Sequence, residues 1–247
     1  ARTGCRPERR WGAGPGRLAG RQRAHRGPVL NGAGLPGGAA PAGGGLAGGV
    51  EPVEGVEPVE GSGGFRRLEE HVLFRGQLIT VTRAIFADPD GVTFERELVH
   101  HPGAVVVVPV VEDGGGRPAA LLVRQYRAAV GSTLLELPAG KRDVEGEPVE
   151  VTARRELEEE VGMRAGRMDK LAEFYNSAGY CDELSHLFMA RDLTPCPTSP
   201  QGIEESYMVV EKVAFGRVPG LVAKRAIVDA KTILGLGLAR DVLDGVG

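Results

Sequence analysis

The sequence predicts a mixed α/β fold in which helices cover both faces of a mixed β-sheet, and three observations predict it. The continuous apolar run 104–111 suits a strand buried on both faces. Further strand-like segments lie on either side of it. Helical patterns at 148–161, 218–224 and 228–243 interrupt and close the series.

Taken in order, residues 1–64 are dominated by Gly, Ala, Pro and Arg with almost no large apolar periodicity, so a disordered tail is expected there. Within it Glu51-Pro52-Val53-Glu54-Gly55 recurs as Glu57-Pro58-Val59-Glu60-Gly61. Two copies are too few to stack as a solenoid and read as linker. The Arg-rich start admits a second reading, a basic arm for nucleic acid. Arg9 and Arg10 are followed by Trp11-Gly12-Ala13-Gly14-Pro15-Gly16 rather than an apolar segment, which argues against a secretory signal.

One domain is expected over 65–247. Residues 78–86 have strand-like composition, Asp88-Pro89-Asp90-Gly91 supplies a turn, and 94–100 returns, so an N-terminal β-hairpin is predicted. Asp113-Gly114-Gly115-Gly116 ends the buried run 104–111. Strands are expected at 119–126 and 134–137, and then a long amphipathic helix at 148–161 that Gly162 stops. Strands near 171–175, 184–190 and 207–213 precede the two closing helices.

An apolar content of 42% is enough for a buried core, and a net charge of −3 gives no bulk reason to expect a nucleic-acid or membrane partner. Any polyanion site must be local, or built around metal. Cys5, Cys181 and Cys196 form neither a disulfide framework nor a metal-binding pair, which fits a reducing cytoplasm. No stretch approaches the roughly 18 consecutive apolar residues of a membrane span.

The chemistry concentrates in Gly140-Lys141-Arg142-Asp143-Val144-Glu145-Gly146-Glu147 and Arg155-Glu156-Leu157-Glu158-Glu159-Glu160-Val161-Gly162-Met163. On an α-helix Glu156, Glu159 and Glu160 fall within about 100° of arc. That arc borders the apolar stripe of Val149, Ala153, Leu157 and Val161, which must pack on the sheet. Like charges so spaced repel. A divalent cation removes the penalty, and oxygen-only ligands select hard ions such as Mg²⁺, with Mn²⁺ as a substitute. Such a site recruits a pyrophosphate, neutralises its oxygens and positions water for in-line attack. The Glu run alone also reads as a solvated Glu/Arg-rich helix.

The complete pattern resembles the Nudix box, G-x5-E-x7-R-E-U-x-E-E-x-G-U with U a bulky apolar residue. Glu147, Arg155-Glu156, Leu157, Glu159-Glu160, Gly162 and Met163 match; six residues rather than five separate Gly140 from Glu147. The resemblance covers about residues 70–243 and looks like the ADP-ribose pyrophosphatase branch. Segments of that branch's type are His101-Pro102-Gly103-Ala104-Val105, Arg124-Gln125-Tyr126-Arg127, Glu136-Leu137-Pro138-Ala139-Gly140 and Ile227-Val228-Asp229-Ala230-Lys231-Thr232.

The resemblance implies a Nudix-type α/β/α sandwich and a set of roles. Glu156 and Glu160 would be the principal metal ligands, with Glu159 a third or outer ligand and the Ala139 carbonyl completing the sphere. Arg155 would hold the helix carboxylates. Arg127 would contact substrate phosphate, with pairing to a carboxylate as its alternative. Glu136 and Glu183 would lie near substrate, although Glu183 could equally cap its turn. A general base is expected on the loop Gln201-Gly202-Ile203-Glu204-Glu205-Ser206, with Glu204 first and Glu205 second, unless this is a plain turn with two solvated acids.

The branch usually carries Ser-Pro-Gly about sixteen residues past the box glycine, where this chain reads Ser177-Ala178-Gly179. Three functions follow from the resemblance: hydrolysis of ADP-ribose to AMP and ribose 5-phosphate, cleavage of another nucleotide sugar such as GDP-mannose or ADP-glucose, or a sensor that binds ADP-ribose without turnover. It also implies a homodimer in which the N-terminal hairpin exchanges across the two-fold axis.

Overall fold

A computed structural model describes residues 63–199 and 202–246. The tail expected at 1–64 therefore lies almost wholly outside the described residues, as does Gln201 of the acidic loop.

The sheet is built outward from its most apolar strand. The run at 104–111 forms β4 (Ala104–Glu112), where Val105, Val106, Val107 and Val108 are fully buried. Alternate side chains of a strand face opposite ways, so an unbroken valine run requires cover on both faces. One face packs with Leu122, Leu187 and Met189 against Leu236 and Ala239 of the C-terminal helix α3 (Ala230–Leu243). The other packs Val105, Val107 and Phe188 against Ala153 of α1 (Val149–Glu156) and against Leu157 and Val161 beyond its end. The α/β/α sandwich is thus observed. A shorter helix, α2 (Val218–Ala223), precedes α3.

Around β4 lie β5 (Pro118–Arg127), β6 (Ser132–Glu136), β7 (Ala139–Lys141), β8 (Met163–Tyr175), β9 (Leu184–Pro195) and β10 (Val209–Ala214). The path runs β10-β5-β4-β9-β8, with β6 on β5 and β7 on β4. Only β4 and β9 pair in parallel among these strands, which makes the sheet mixed.

One edge of β4 is shared, and this creates the site. Its end at Val110–Glu112 pairs with β5, while its start at Ala104–Val106 pairs with β7. The far half of β5 has turned away to pair with β6. The sheet therefore splits between residues 125–127 and 139–141.

The predicted hairpin is corrected to a three-stranded antiparallel sheet, β1 (Arg66–Arg75), β2 (Thr80–Ala87) and β3 (Thr93–His100), in that order. β1 escaped the sequence reading because its pairing with β2 shifts register at Arg67/Glu69 and Val72/Phe74, which breaks the alternation that marks a strand. This sheet joins the main body where His100 contacts Asp182 Oδ2 at 2.6 Å, and within the sheet His100 also contacts Glu70 Oε1 at 2.6 Å.

The helix expected at 148–161 is present but changes its winding. α1 continues into a π-wound turn, Leu157–Val161, capped by Gly162 at φ 70°. A β-carbon at Gly162 would meet Thr198 Cγ2 at 2.8 Å, so the cap is closed to other residues by contact as well as by conformation.

No helix among the described residues is long and apolar enough to cross a membrane.

Candidate active site

A cavity of about 510 Å³ opens at the split in the sheet. β5 contributes Gln125, Tyr126 and Arg127, β7 contributes Ala139, Gly140 and Lys141, and the helix contributes Arg155, Glu156, Glu159 and Glu160. Glu183, Glu204 and Glu205 reach it from two later loops, and Lys231 reaches it from the first turn of α3.

The π turn decides how the helix carboxylates stand. Wider winding brings residues four to five apart into line, so Glu160 stacks along the helix from Glu156 while Glu159 is rotated farther round than a 3.6-residue turn would place it. Burial follows the same division: Glu156 and Glu160 are buried and Glu159 is half-buried. The three-carboxylate face expected from α-helical spacing is a buried pair with a third, half-buried acid beside it.

The buried pair lies against the glycine loop. Glu160 Oε2 accepts from the Ala139 N–H at 3.1 Å. Gly140 leaves room for Glu156, since a β-carbon there would fall 1.9 Å from Glu156 Cδ. The additional residue between Gly140 and Glu147 is taken up in a turn in which the Glu147 N–H donates to the Val144 carbonyl, and the contact of Gly140 with Glu156 is retained.

Crowding and burial perturb both acids. Burial, with a further push from Glu159 and Glu205 against the pull of Arg155, raises the Glu156 pKa to about 7. Burial and then the Glu156 charge raise Glu160 to about 8, although the Ala139 N–H works the other way and Glu205 adds to the repulsion.

Arg155 bridges the box. It donates to Glu156 Oε1 at 2.8 Å, to Glu159 Oε2 at 3.2 Å and to Glu147 Oε2 at 3.4 Å, while its buried Nε has no partner. Glu147 also accepts from Thr152 Oγ1 at 2.7 Å, which fixes the first glutamate of the motif to the start of α1.

Two expectations are refined. Arg127 lines the cavity and also pairs with a carboxylate, donating from Nε at 2.8 Å and from a terminal nitrogen at 2.5 Å to Glu136 Oε2. Glu136, expected near substrate, is instead buried behind Arg127 and does not line the cavity. Its place at the end of β6, opposite Val123, turns it inward.

Glu183 is at the wall. Glu204 and Glu205 are both there too, and the charge of Glu205 adds to the rise of Glu156 and Glu160. Ala178 lies in a turn closed by Tyr180 and Cys181 N–H groups on the Ser177 carbonyl, and it faces a second, smaller hollow beside His100 and Tyr180.

The segment Ile227-Val228-Asp229-Ala230-Lys231-Thr232 gives Lys231 no role by sequence alone. The Asp-x-Lys-Thr spacing was the available signal, because Asp229 caps α3 through the Thr232 N–H and so fixes Lys231 in the first turn.

The donor set suits a hard divalent ion. Two buried carboxylates, each driven toward its neutral form by the other's charge or by burial, are relieved by a cation, and the neighbouring Ala139 offers a carbonyl. Among the described residues no three Asp, Glu, His or Cys side chains converge as a ready-made cage. Mg²⁺ does not require one, since it usually keeps several waters and shares its sphere with substrate phosphates.

Fold and site together define a phosphoanhydride hydrolase. The NUDIX domain family matches residues 100–223, and the chain belongs to that family as a Nudix pyrophosphatase. It is 35% identical over 167 residues to the ADP-ribose pyrophosphatase of Bacillus subtilis (strain 168), covering 68% of this chain and 88% of the relative. It is 33% identical over 181 residues to the ADP-ribose pyrophosphatase of Mycobacterium tuberculosis (strain ATCC 25618 / H37Rv), covering 73% and 86%. A crystal structure of an ADP compounds hydrolase superposes with a TM-score of 0.64 at 26% identity, over 74% of this chain and 96% of that one.

Proposed function

We propose that this chain hydrolyses the pyrophosphate bond of ADP-ribose, giving AMP and ribose 5-phosphate, with Mg²⁺ as the working metal and Mn²⁺ as a substitute. The carrying observation is the buried pair Glu156 and Glu160, set against the Ala139–Gly140 loop at the mouth of a cavity lined by Arg127. The names of the two pyrophosphatase relatives support ADP-ribose as the first substrate.

Glu156 and Glu160 would hold the metal, with Glu159 as a further or outer ligand and the Ala139 carbonyl completing the sphere. When bound, the ion neutralises diphosphate oxygens and lowers the pKa of a coordinated water. Arg155 aligns the carboxylates through its contacts with Glu147, Glu156 and Glu159 and opposes the rise of the Glu156 pKa. Arg127 binds a phosphate oxygen, and Glu136 acts through Arg127 by fixing its guanidinium. Glu183 contacts the sugar-bearing half.

A carboxylate on the 202–206 loop takes the proton of the attacking water. Coupling to the helix acids favours Glu205 over Glu204 for this task. The negative charge developing on the phosphates is met by Arg127, and a metal held by Glu156 and Glu160 would add to this.

The catalytic unit is residues 65–247, acting as a homodimer. Exposed Val72, Leu73 and Phe74 on β1 supply an apolar face for the exchange. The half-buried free thiols Cys181 and Cys196 suit a reducing cytoplasm.

The test is phosphate-coupled turnover of a nucleotide-sugar panel with Mg²⁺ and with Mn²⁺. ADP-ribose is expected to give the highest kcat/KM. Robust GDP-mannose cleavage without ADP-ribose cleavage would replace the substrate, and binding without cleavage of any member would replace the enzyme reading with a sensor.

A further inference from the structure

We propose that Lys231 is a substrate-binding residue, an ammonium on the first turn of α3 that contacts the diphosphate from the same wall as Arg127. The inference rests on the pyrophosphatase reading above and adds a residue that the Nudix box does not contain.

The cavity is rich in acid, and of the four Lys and Arg side chains that line it, Arg127, Arg155 and Lys231 are each held by a carboxylate. Arg155 divides its donors among Glu147, Glu156 and Glu159. Arg127 gives two to Glu136. Lys231 lines the same cavity and gives one hydrogen bond, from Nζ to Asp229 Oδ1 at 2.8 Å. An ammonium carries three donors, which leaves two for a ligand.

Lys231 is also held in place before any ligand arrives. Asp229 Oδ2 accepts from the Thr232 N–H at 2.8 Å and from Thr232 Oγ1 at 2.7 Å, so the carboxylate that grips Lys231 is itself fixed to the helix cap. Thr232 is fully buried, and its Oγ1 accepts from the Leu137 N–H at 2.9 Å. One short network thus ties Lys231 to the 137–140 loop against which Glu156 and Glu160 lie. Little side-chain entropy remains to be lost on binding.

Charge supports the assignment. Burial works to raise the Asp229 pKa, yet Lys231 and the Thr232 bonds outweigh it and keep the carboxyl below its ordinary range. Asp229 lies near enough to Arg127 to stabilise its charge as well. The Asp229 charge thus acts on both Arg127 and Lys231, two cations lining one cavity, and a diphosphate has two phosphates to meet them. The α3 N-terminus does not compete for the ligand, because Asp229 already occupies the Thr232 N–H.

The experiment compares the full chain with Lys231→Met and Lys231→Arg in Mg²⁺, using steady-state turnover of ADP-ribose and calorimetric binding of inorganic pyrophosphate. Lys231→Met should raise KM by about tenfold and weaken pyrophosphate binding by a similar factor, with kcat within about threefold; Lys231→Arg should recover most of both. A purely structural pairing with Asp229 would lower thermal stability and leave KM and binding unchanged, and that result overturns the proposal. If the unaltered chain cleaves no nucleotide sugar, the reading of function fails separately, and pyrophosphate binding still decides. Equal affinity of Lys231→Met and the unaltered chain for pyrophosphate sinks the inference.

Discussion

Gly140 and Glu156 occupy one another's space: a β-carbon on Gly140 would sit 1.9 Å from Glu156 Cδ and 2.2 Å from Oε1. The contact involves no hydrogen bond, and it requires that the loop before the helix carry no side chain here. Gly140→Ala must push the Glu156 carboxylate aside or move the loop. The expected outcome is a loss of at least about 100-fold in kcat, since small misplacements of positioned groups cost on that scale. Circular dichroism should show the fold retained. Turnover within about threefold of the unaltered protein would show that the contact is not needed for catalysis.

Glu160→Gln separates function from stability. The folded Glu160 pKa lies near 8 against an ordinary value of 4.5, so between those values the folded state binds more protons than the unfolded one. Stability then falls as pH rises through that window, and the loss is complete above about 8. Replacing the acid by Gln removes this loss. In metal-free buffer at pH about 8.5 the variant should be more stable by on the order of 2 kcal/mol, and the difference should vanish near pH about 4. Mg²⁺ should raise the Tm of the unaltered protein more than that of the variant, while the variant's kcat drops by orders of magnitude. A variant less stable than the parent at pH 8.5 without metal would reject the buried-charge account.

Much of this site was legible in the sequence because its parts are local. Glu147, Arg155, Glu156, Glu159 and Glu160 lie within one loop-helix segment, and helical spacing gathers the last four. The π turn was not legible: Leu157-Glu158-Glu159-Glu160-Val161 has ordinary α-helical composition, and the change of winding is seen only with Glu160 on the Ala139 N–H and Gly162 in its left-handed cap. Long-range relations were lost for a similar reason. The burial of Glu136 depends on β6 pairing with β5, and the Lys231 position on a bond from Leu137 to Thr232, 95 residues away. The first strand was hidden by its two register shifts.

The acidic loop gives a paired test. Both Glu204 and Glu205 reach the cavity, and the Glu205 charge is among the largest contributions that raise Glu156 and Glu160. Glu205→Gln should lower kcat by about 10²–10³, the usual magnitude for a lost general base. Glu204→Gln should stay within about threefold. The reverse ranking in steady-state kinetics would assign the proton transfer to Glu204.

Glu136 tests whether a buried carboxylate can act on substrate through its neighbour. Its Oε2 takes two bonds from Arg127 and it is nearly sealed from solvent, so a buried carboxylate aims the guanidinium. Glu136→Gln keeps the shape and removes the charge, leaving Arg127 with a weaker, neutral acceptor. Arg127 should then sample more orientations. KM for ADP-ribose is expected to rise about five- to tenfold with kcat nearly unchanged, and Arg127→Ala made on the Glu136→Gln background should add less than it does alone, because the two residues serve one contact. Fully additive losses in that double-mutant cycle would mean that Glu136 and Arg127 act on separate steps.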